Sequence, residues 1–188
     1  MNSSAVVIVN ASSGAGCASG YDRELQERFA AAGLQAKVEL VADGEAIVRA
    51  ARKALDDGIQ CIVAGGGDGT VSAVASQLAG TQAALGVLPL GTLNHFAKDN
   101  GIPLDLDPAI AVIAAGQVTE IDVAEVNGRI FINNSSLGLY PDIVLDRERQ
   151  RRRLGRGKWM ALAAASLHAA RRYPVLTLAM DVDGQPLR

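Results

Sequence analysis

The chain carries an acidic residue inside a glycine-rich turn. Residues 65–70 read GGGDGT, after an apolar run at 61–64 and before a helix-like run at 71–75. Such a turn can bring bare backbone N–H groups against phosphate oxygens. A P-loop has a lysine here, but this turn has Asp68, and a carboxylate repels phosphate unless a metal ion lies between them or the group takes part in the chemistry. The turn predicts phosphoryl transfer from a nucleotide; the plainer interpretation is a tight turn in which Asp68 caps the helix.

The composition is typical of a soluble chain with one sizeable core. Its 188 residues are 49% hydrophobic, 20% charged and 4% aromatic, with a formal net charge of −2. Neither a strongly basic field nor a base-stacking surface is indicated, so we expect no nucleic acid partner. Cys17 and Cys61 lack metal-site spacing and suit a reducing cytosol. The apolar run at 5–9 is too short for a signal peptide or a membrane span, so we expect a cytoplasmic protein without a transmembrane segment.

Strand-like and helix-like runs alternate along the first part of the chain. The strand-like runs are residues 5–9, 36–41, 59–64 and 84–88, and a helix follows the third of them at 70–79. Asp43 is expected to cap the helix after the second strand. Strict alternation predicts a parallel sheet with helices on both faces. Ligands bind at the carboxyl ends of such strands, so we expect the loops 10–16, 65–70 and 89–95 to form one site.

From about residue 118 the pattern becomes typical of antiparallel strands. Asn127-Gly128, a strong hairpin signal, separates the runs 120–126 and 129–133. A helical stretch at 146–173 follows. A strand-like run at 175–182 then leads to Asp183-Gly184, a second hairpin turn.

We therefore predict an α/β fold in two parts. Residues 1–117 form a parallel-sheet, three-layer nucleotide-binding domain, and residues 118–188 begin an antiparallel, β-rich second domain. Only four residues follow the turn at Asp183-Gly184, fewer than a return strand of about five residues needs. We expect the second domain to be incomplete and the chain to be part of a longer protein.

Two segments together carry a family resemblance. The GGGDGT turn at 65–70 and the segment PLGTLNHFA at 89–97 resemble the diacylglycerol kinase catalytic domain family. That family includes bacterial lipid kinases, sphingosine kinases and ceramide kinases, and it is distantly related to NAD kinases. The segments NASSG at 10–14, EIDV at 120–123 and FINNSSLG at 131–138 are similar to further family segments.

The resemblance implies an ATP-dependent lipid kinase that uses Mg²⁺. Asp68 would belong to the catalytic centre, binding Mg²⁺ or orienting the acceptor hydroxyl, and Asp122 would be a second carboxylate ligand of the metal. The residues implied in ATP binding are Asn10, Ser13, Gly14, Gly66, Gly67, Gly69, Thr70, Gly91, Thr92 and Asn94.

The chain departs from the family pattern in three places. His95 stands where the family often has Asp, and residues 40–44 lack a Thr that the family often places there. The general base and the structural Mg²⁺ site of bacterial members lie in a later part of the second domain, beyond Arg188. Two alternatives stay open: an NAD kinase-like enzyme, and a nucleotide-binding module without turnover.

A basic stretch at 147–158 has seven cations. It could dock on anionic lipid headgroups, and a solvated helix face is an equal alternative. The resemblance implies a lipid substrate at a membrane surface, which would make the protein peripheral to that membrane. A homodimer is left open.

Overall fold

A computed structural model describes residues 4–11, 19–133 and 179–187. The chain divides into two compact units, residues 1–134 and 135–188. The strands of the first unit are β1 (Ser4–Asn10), β2 (Gln35–Val41), β3 (Cys61–Gly66), β4 (Ala84–Pro89), β5 (Ala124–Val126) and β6 (Arg129–Phe131). Its helices are α1 (Tyr21–Ala31), α2 (Gly44–Asp56), α3 (Asp68–Leu78), α4 (His95–Asp99) and α5 (Leu106–Ala115).

The first four strands form one parallel sheet in the order β2-β1-β3-β4. Strand β1 is central, and its residues Val7, Ile8 and Val9 are fully buried because helices cover both faces of the sheet. This confirms the predicted α/β fold.

Alternate residues of β1 face two separate cores. Val6 and Ile8 pack with the apolar sides of α2, α3 and α4. Val7 and Val9 pack with α1 and α5 on the other face. Asp43 caps α2 as predicted, since its Oδ1 accepts a hydrogen bond of 2.8 Å from the Ala46 backbone N–H.

Strand β3 lies two residues further along the chain than its sequence predicts. The apolar run indicated a strand at 59–64 followed by a glycine turn, but Gly65 pairs with Val9 of β1 and with Leu88 of β4. A Cβ on Gly65 would lie 2.9 Å from Val9 Cγ2, so a glycine is needed for this close strand pairing. The turn shortens to Gly67, and α3 begins at Asp68 instead of residue 70.

Both sequence-predicted hairpins form. Strands β5 and β6 are antiparallel around Asn127 and Gly128, which have φ of 50° and 75°. Positive φ at both positions is what the favoured two-residue hairpin turn requires. Each strand has three residues, fewer than the apolar runs indicated.

In the second unit the structure describes residues 179–187. Strand β7 (Met180–Val182) pairs antiparallel with β8 (Gln185–Leu187) around Asp183 and Gly184. The return strand after this turn is thus formed by three residues. The predicted helical stretch at 146–173 and the basic stretch at 147–158 lie outside the described residues, and the domain boundary at residue 117 stays a prediction.

None of the described helices combines the length and the apolar character needed to cross a bilayer.

Candidate functional site

The predicted site loops leave neighbouring strands at one edge of the sheet. The chain passes from β1 to β2 on one side and then returns to β3 on the other side of β1. Ligands of parallel α/β sheets bind at such a switch point, outside the carboxyl ends of the strands. Asn10, Gly66 and Pro89 end β1, β3 and β4, so the three loops begin side by side there.

Asn10 and Thr70 connect the end of β1 to the first turn of α3. The Asn10 side-chain N–H donates to Thr70 Oγ1 over 3.4 Å, and Thr70 is 4% exposed. The Thr70 side chain fills the space above Gly66, since a Cβ on Gly66 would lie 2.6 Å from Thr70 Cβ. Both residues therefore have a structural role, and their predicted contact with ATP stays a prediction.

The turns after β3 and β4 touch through glycine backbones. A Cβ on Gly91 would overlap Gly67 Cα and would lie 3.1 Å from the Gly67 backbone nitrogen. Packing alone therefore accounts for the glycine at position 91. Gly69 differs, because a Cβ there would meet nothing within 4 Å. Gly69 is exposed in the first turn of α3, so packing against the described residues does not explain why it lacks a side chain.

The Asn94 side chain shapes its own loop. Asn94 has φ of 51°, and its Oδ1 accepts from the Gly91 N–H over 3.0 Å. Its Nδ2 donates to the carbonyls of Pro89 and Gly91 over 3.0 and 2.9 Å. These bonds use both amide hydrogens and hold the loop in its conformation, and the predicted contact of Asn94 with ATP stays a prediction. Thr92 is exposed at the tip of this loop.

We expect Asn94→Asp to loosen the loop at 89–94. The carboxylate keeps an acceptor for the Gly91 N–H but loses both donors and faces two carbonyl oxygens. The loss of satisfied polar groups should lower the free energy of unfolding by about 1–3 kcal/mol, as measured by denaturant unfolding. Asn100→Asp is the control, because Asn100 makes a single side-chain bond to the Phe96 carbonyl. An equal loss in the two variants would contradict this account of Asn94.

Asp68 links α3 to α4. Its Oδ1 accepts from the Phe96 backbone N–H over 2.9 Å and from the Asn133 side chain over 3.2 Å. Asp68 thus caps the start of α4 in the next loop, whereas the plainer sequence interpretation was a cap of its own helix. Partial burial raises the pKa of Asp68, but hydrogen bonds from Phe96, His95 and Asn133 outweigh it and leave the pKa below its ordinary value. A carboxylate with a lowered pKa is a weaker proton acceptor than an unperturbed one.

The remaining predicted site residues are Asp122 and, in the loop after β1, Ser13 and Gly14. Asp122 is exposed in the segment before β5. In the described part of the chain, no three or more His, Cys, Asp or Glu side chains are grouped as metal ligands. The pairing of Asp68 with Asp122 on Mg²⁺ therefore stays a prediction. Ser13 and Gly14 lie outside the described residues.

The residue that sequence reasoning missed is Asn133. It lies in the segment 131–138 that carried part of the resemblance, but neither its type nor its spacing indicated a contact with Asp68, 65 residues earlier. The contact between Asn133 and Asp68 becomes evident only in the structure, where β6 lies beside α3.

A surface cavity lies elsewhere in the domain, away from these loops. It has a volume of about 230 Å³ and lies at the amino ends of β1 and β2, lined by Ser4, Gln35, Lys37 and Lys53 among others. The glycine turns lie at the opposite ends of the strands, where the polar groups converge, and we place the candidate site there.

The fold defines a class of protein: a parallel α/β domain with its candidate site, built on glycine turns, at the switch point of the sheet. Comparison with known families identifies it further. Residues 4–126 match the model of the diacylglycerol kinase catalytic domain. The chain belongs to this family, as its sequence predicted.

Curated relatives agree with this assignment. A protein of Klebsiella pneumoniae (strain 342) named "Probable lipid kinase YegS-like" is 45% identical over 94 residues, which are 48% of this chain and 32% of that protein. "Probable lipid kinase YegS" of Escherichia fergusonii is 45% identical over 85 residues, 43% of this chain and 28% of that protein. The matched segments thus span less than a third of these relatives.

Solved structures share the fold. A diacylglycerol kinase from Bacillus anthracis str. Sterne superposes with a TM-score of 0.61 at 25% identity, covering 70% of this chain and 46% of that one. A second structure from the same organism gives a TM-score of 0.65 at 26% identity, covering 74% and 52%. The chain therefore corresponds to about half of these solved chains.

Proposed function

We propose that this chain forms the nucleotide-binding part of an ATP-dependent lipid kinase, which transfers the γ-phosphate of Mg·ATP to a lipid hydroxyl. The observation that carries the proposal is the open amino end of α3 at Gly69, which lies at the switch point of a sheet in this kinase family. The lipid substrate and its membrane surface are proposed from the family resemblance, and the cytoplasmic location is proposed from the sequence.

The start of α3 fits a phosphate group. The N–H groups of Thr70 and Val71 are the first of the helix to bond back, both to the Gly67 carbonyl. Those of Asp68 and Gly69 precede this bonding, and within the described residues they are among the donors that a helix start leaves without a partner in the helix. With no Cβ at Gly69 to obstruct them, these donors and the helix dipole favour a phosphate oxygen there.

Asp68 fits one ligand of a nucleotide-bound Mg²⁺. The hydrogen bonds from Phe96 and Asn133 both end on Oδ1, and a cation would bind at the acceptor positions that remain on the carboxylate. Protein sites for Mg²⁺ on nucleotides use one or two carboxylates, with phosphates and waters completing the shell. When bound, Mg²⁺ would neutralise charge on the β- and γ-phosphates.

The chain itself would mainly position the nucleotide. Phosphoryl transfer needs alignment and charge stabilisation more than covalent chemistry from the protein. The loops after β3 and β4 are locked together by the Gly67–Gly91 contact, the Asn94 bonds and the Asp68 cap. Such preorganised loops hold donors in place without reorganisation during the reaction.

The proposal is tested by incubating the full-length protein with γ-labelled ATP, Mg²⁺ and a panel of lipids in mixed micelles, with NAD as a soluble acceptor in parallel. We expect label in a lipid that carries a free hydroxyl, and none in NAD. Label in NAD alone would support the NAD kinase-like alternative. Nucleotide binding without any labelled product would support a module without turnover.

A further inference from the structure

We propose that Asn133 is a positioning residue of the nucleotide site: its side-chain amide orients the Asp68 carboxylate, through which the β5–β6 hairpin is coupled to the two phosphate-binding loops. The inference rests on the proposed function for its kinetic consequence. Its structural part stands on the contacts around Asp68.

Asn133 is the one side-chain donor to Asp68 among the described residues. Its Nδ2 lies 3.2 Å from Asp68 Oδ1, the oxygen that also accepts from the Phe96 N–H. These two donors come from different segments, α4 and the residues after β6, and together they restrict rotation of the carboxylate. The orientation of the Asp68 carboxylate is then set in part by Asn133.

The hairpin holds Asn133 in place. Asn133 follows β6 by two residues, and Ile132 between them packs against the core formed by α2, α3 and the sheet. The tight turn at Asn127 and Gly128 sets the register of β5 and β6. A change in the hairpin would therefore reach Asp68 through a short and partly buried path.

Residues that orient a metal ligand contribute strongly to metal affinity and to activity. Their loss typically costs about 10–100-fold in metal affinity or activity. We expect a loss of this size in Asn133→Ala of the full-length protein, seen in kcat and in the apparent affinity for Mg²⁺ more than in the KM for the lipid.

Asn133→Asp provides a charge-specific test. It has nearly the same shape as Asn133 but removes the donor and sets a second carboxylate against Asp68, so it should be more damaging than Asn133→Ala. In an Asp68→Asn background this difference should disappear, because the repulsion requires both charges. If Asn133→Asp and Asn133→Ala are equally active with Asp68 intact, the proposal is overturned.

Asn100→Ala is the matched control. Asn100 follows the last residue of α4 and also donates from its side-chain amide, to the Phe96 carbonyl at 2.8 Å, but it does not bond to Asp68. Asn100→Ala should lower thermal stability about as much as Asn133→Ala and leave kcat close to the wild-type value. Equal losses of kcat in both variants would reduce Asn133 to a general structural role.

A double-mutant cycle separates this inference from the proposed function. Denaturant unfolding is measured for Asn133→Ala and Asn100→Ala, each with Asp68 intact and in an Asp68→Ala background. Because Asn133 contacts Asp68 and Asn100 does not, Asn133→Ala should destabilise the protein less once Asp68 is removed, and Asn100→Ala should destabilise it equally in both backgrounds. Equal effects of Asn133→Ala in the two backgrounds overturn the inference, whereas failure to phosphorylate any lipid overturns only the proposed function.

Discussion

In the full-length protein, Asp68→Asn should lower turnover by about 10²-fold or more while nucleotide affinity stays near the wild-type value. The carboxamide keeps an Oδ1 that can accept from the Phe96 N–H, so the cap of α4 persists. What disappears is the negative charge that a cation or the acceptor hydroxyl would need. Removing that charge beside phosphates does not by itself weaken nucleotide binding.

Asp68→Ala distinguishes the charge from the cap. It removes both, and the lost cap should lower the free energy of unfolding by about 0.5–2 kcal/mol, whereas Asp68→Asn should change it little. Thermal unfolding and steady-state kinetics on the three proteins make the comparison. A fully active Asp68→Asn protein would reduce Asp68 to a cap of α4.

Gly69→Leu should weaken ATP binding without unfolding the domain. A Cβ at this position meets nothing within 4 Å, so the fold has room for the side chain. The space in front of the Asp68 and Gly69 N–H groups would then be obstructed. Loss of one charge-assisted hydrogen bond costs about 1.5–3 kcal/mol, or roughly 10–150-fold in Kd, which calorimetric titration with Mg·ATP measures.

Gly44→Leu is the matched control. Gly44 is the first residue of α2 and likewise has no neighbour within 4 Å of a built Cβ. Both substitutions should leave thermal stability similar, but only Gly69→Leu should weaken binding. Gly67 is a poorer probe, because a Cβ there would lie 3.4 Å from Gly91 Cα and a larger side chain would disturb the loop contact itself. Equal ATP affinity in the two leucine variants would remove the start of α3 from the site.

Much of the fold was predictable because its signals are local. A strand covered on both faces is a continuous apolar run, as in β1, and turn residues such as Asn127-Gly128 require positive φ wherever they occur. Alternation of such runs with helices leaves few topologies besides a parallel sheet. The same local signals located the loops at 65–70 and 89–95 and hence the edge of the sheet where they meet.

The tertiary structure decided the roles of the side chains within these loops. Gly65 belongs to a strand because of its neighbours in β1 and β4, which no local pattern around residue 65 reveals. Likewise, Asn94 is turned inward onto its own loop, although its sequence context matched a nucleotide-binding segment.

Asp68 shows most clearly what the sequence determined and what the tertiary structure decided. The sequence alone showed its position in a glycine turn and the electrostatic repulsion between its carboxylate and a phosphate. Its partners are 28 and 65 residues away in the chain, on α4 and after β6. Such contacts depend on the strand order β2-β1-β3-β4 and on the packing of the hairpin against α3, because burial and strand adjacency, not sequence proximity, determine which polar groups meet.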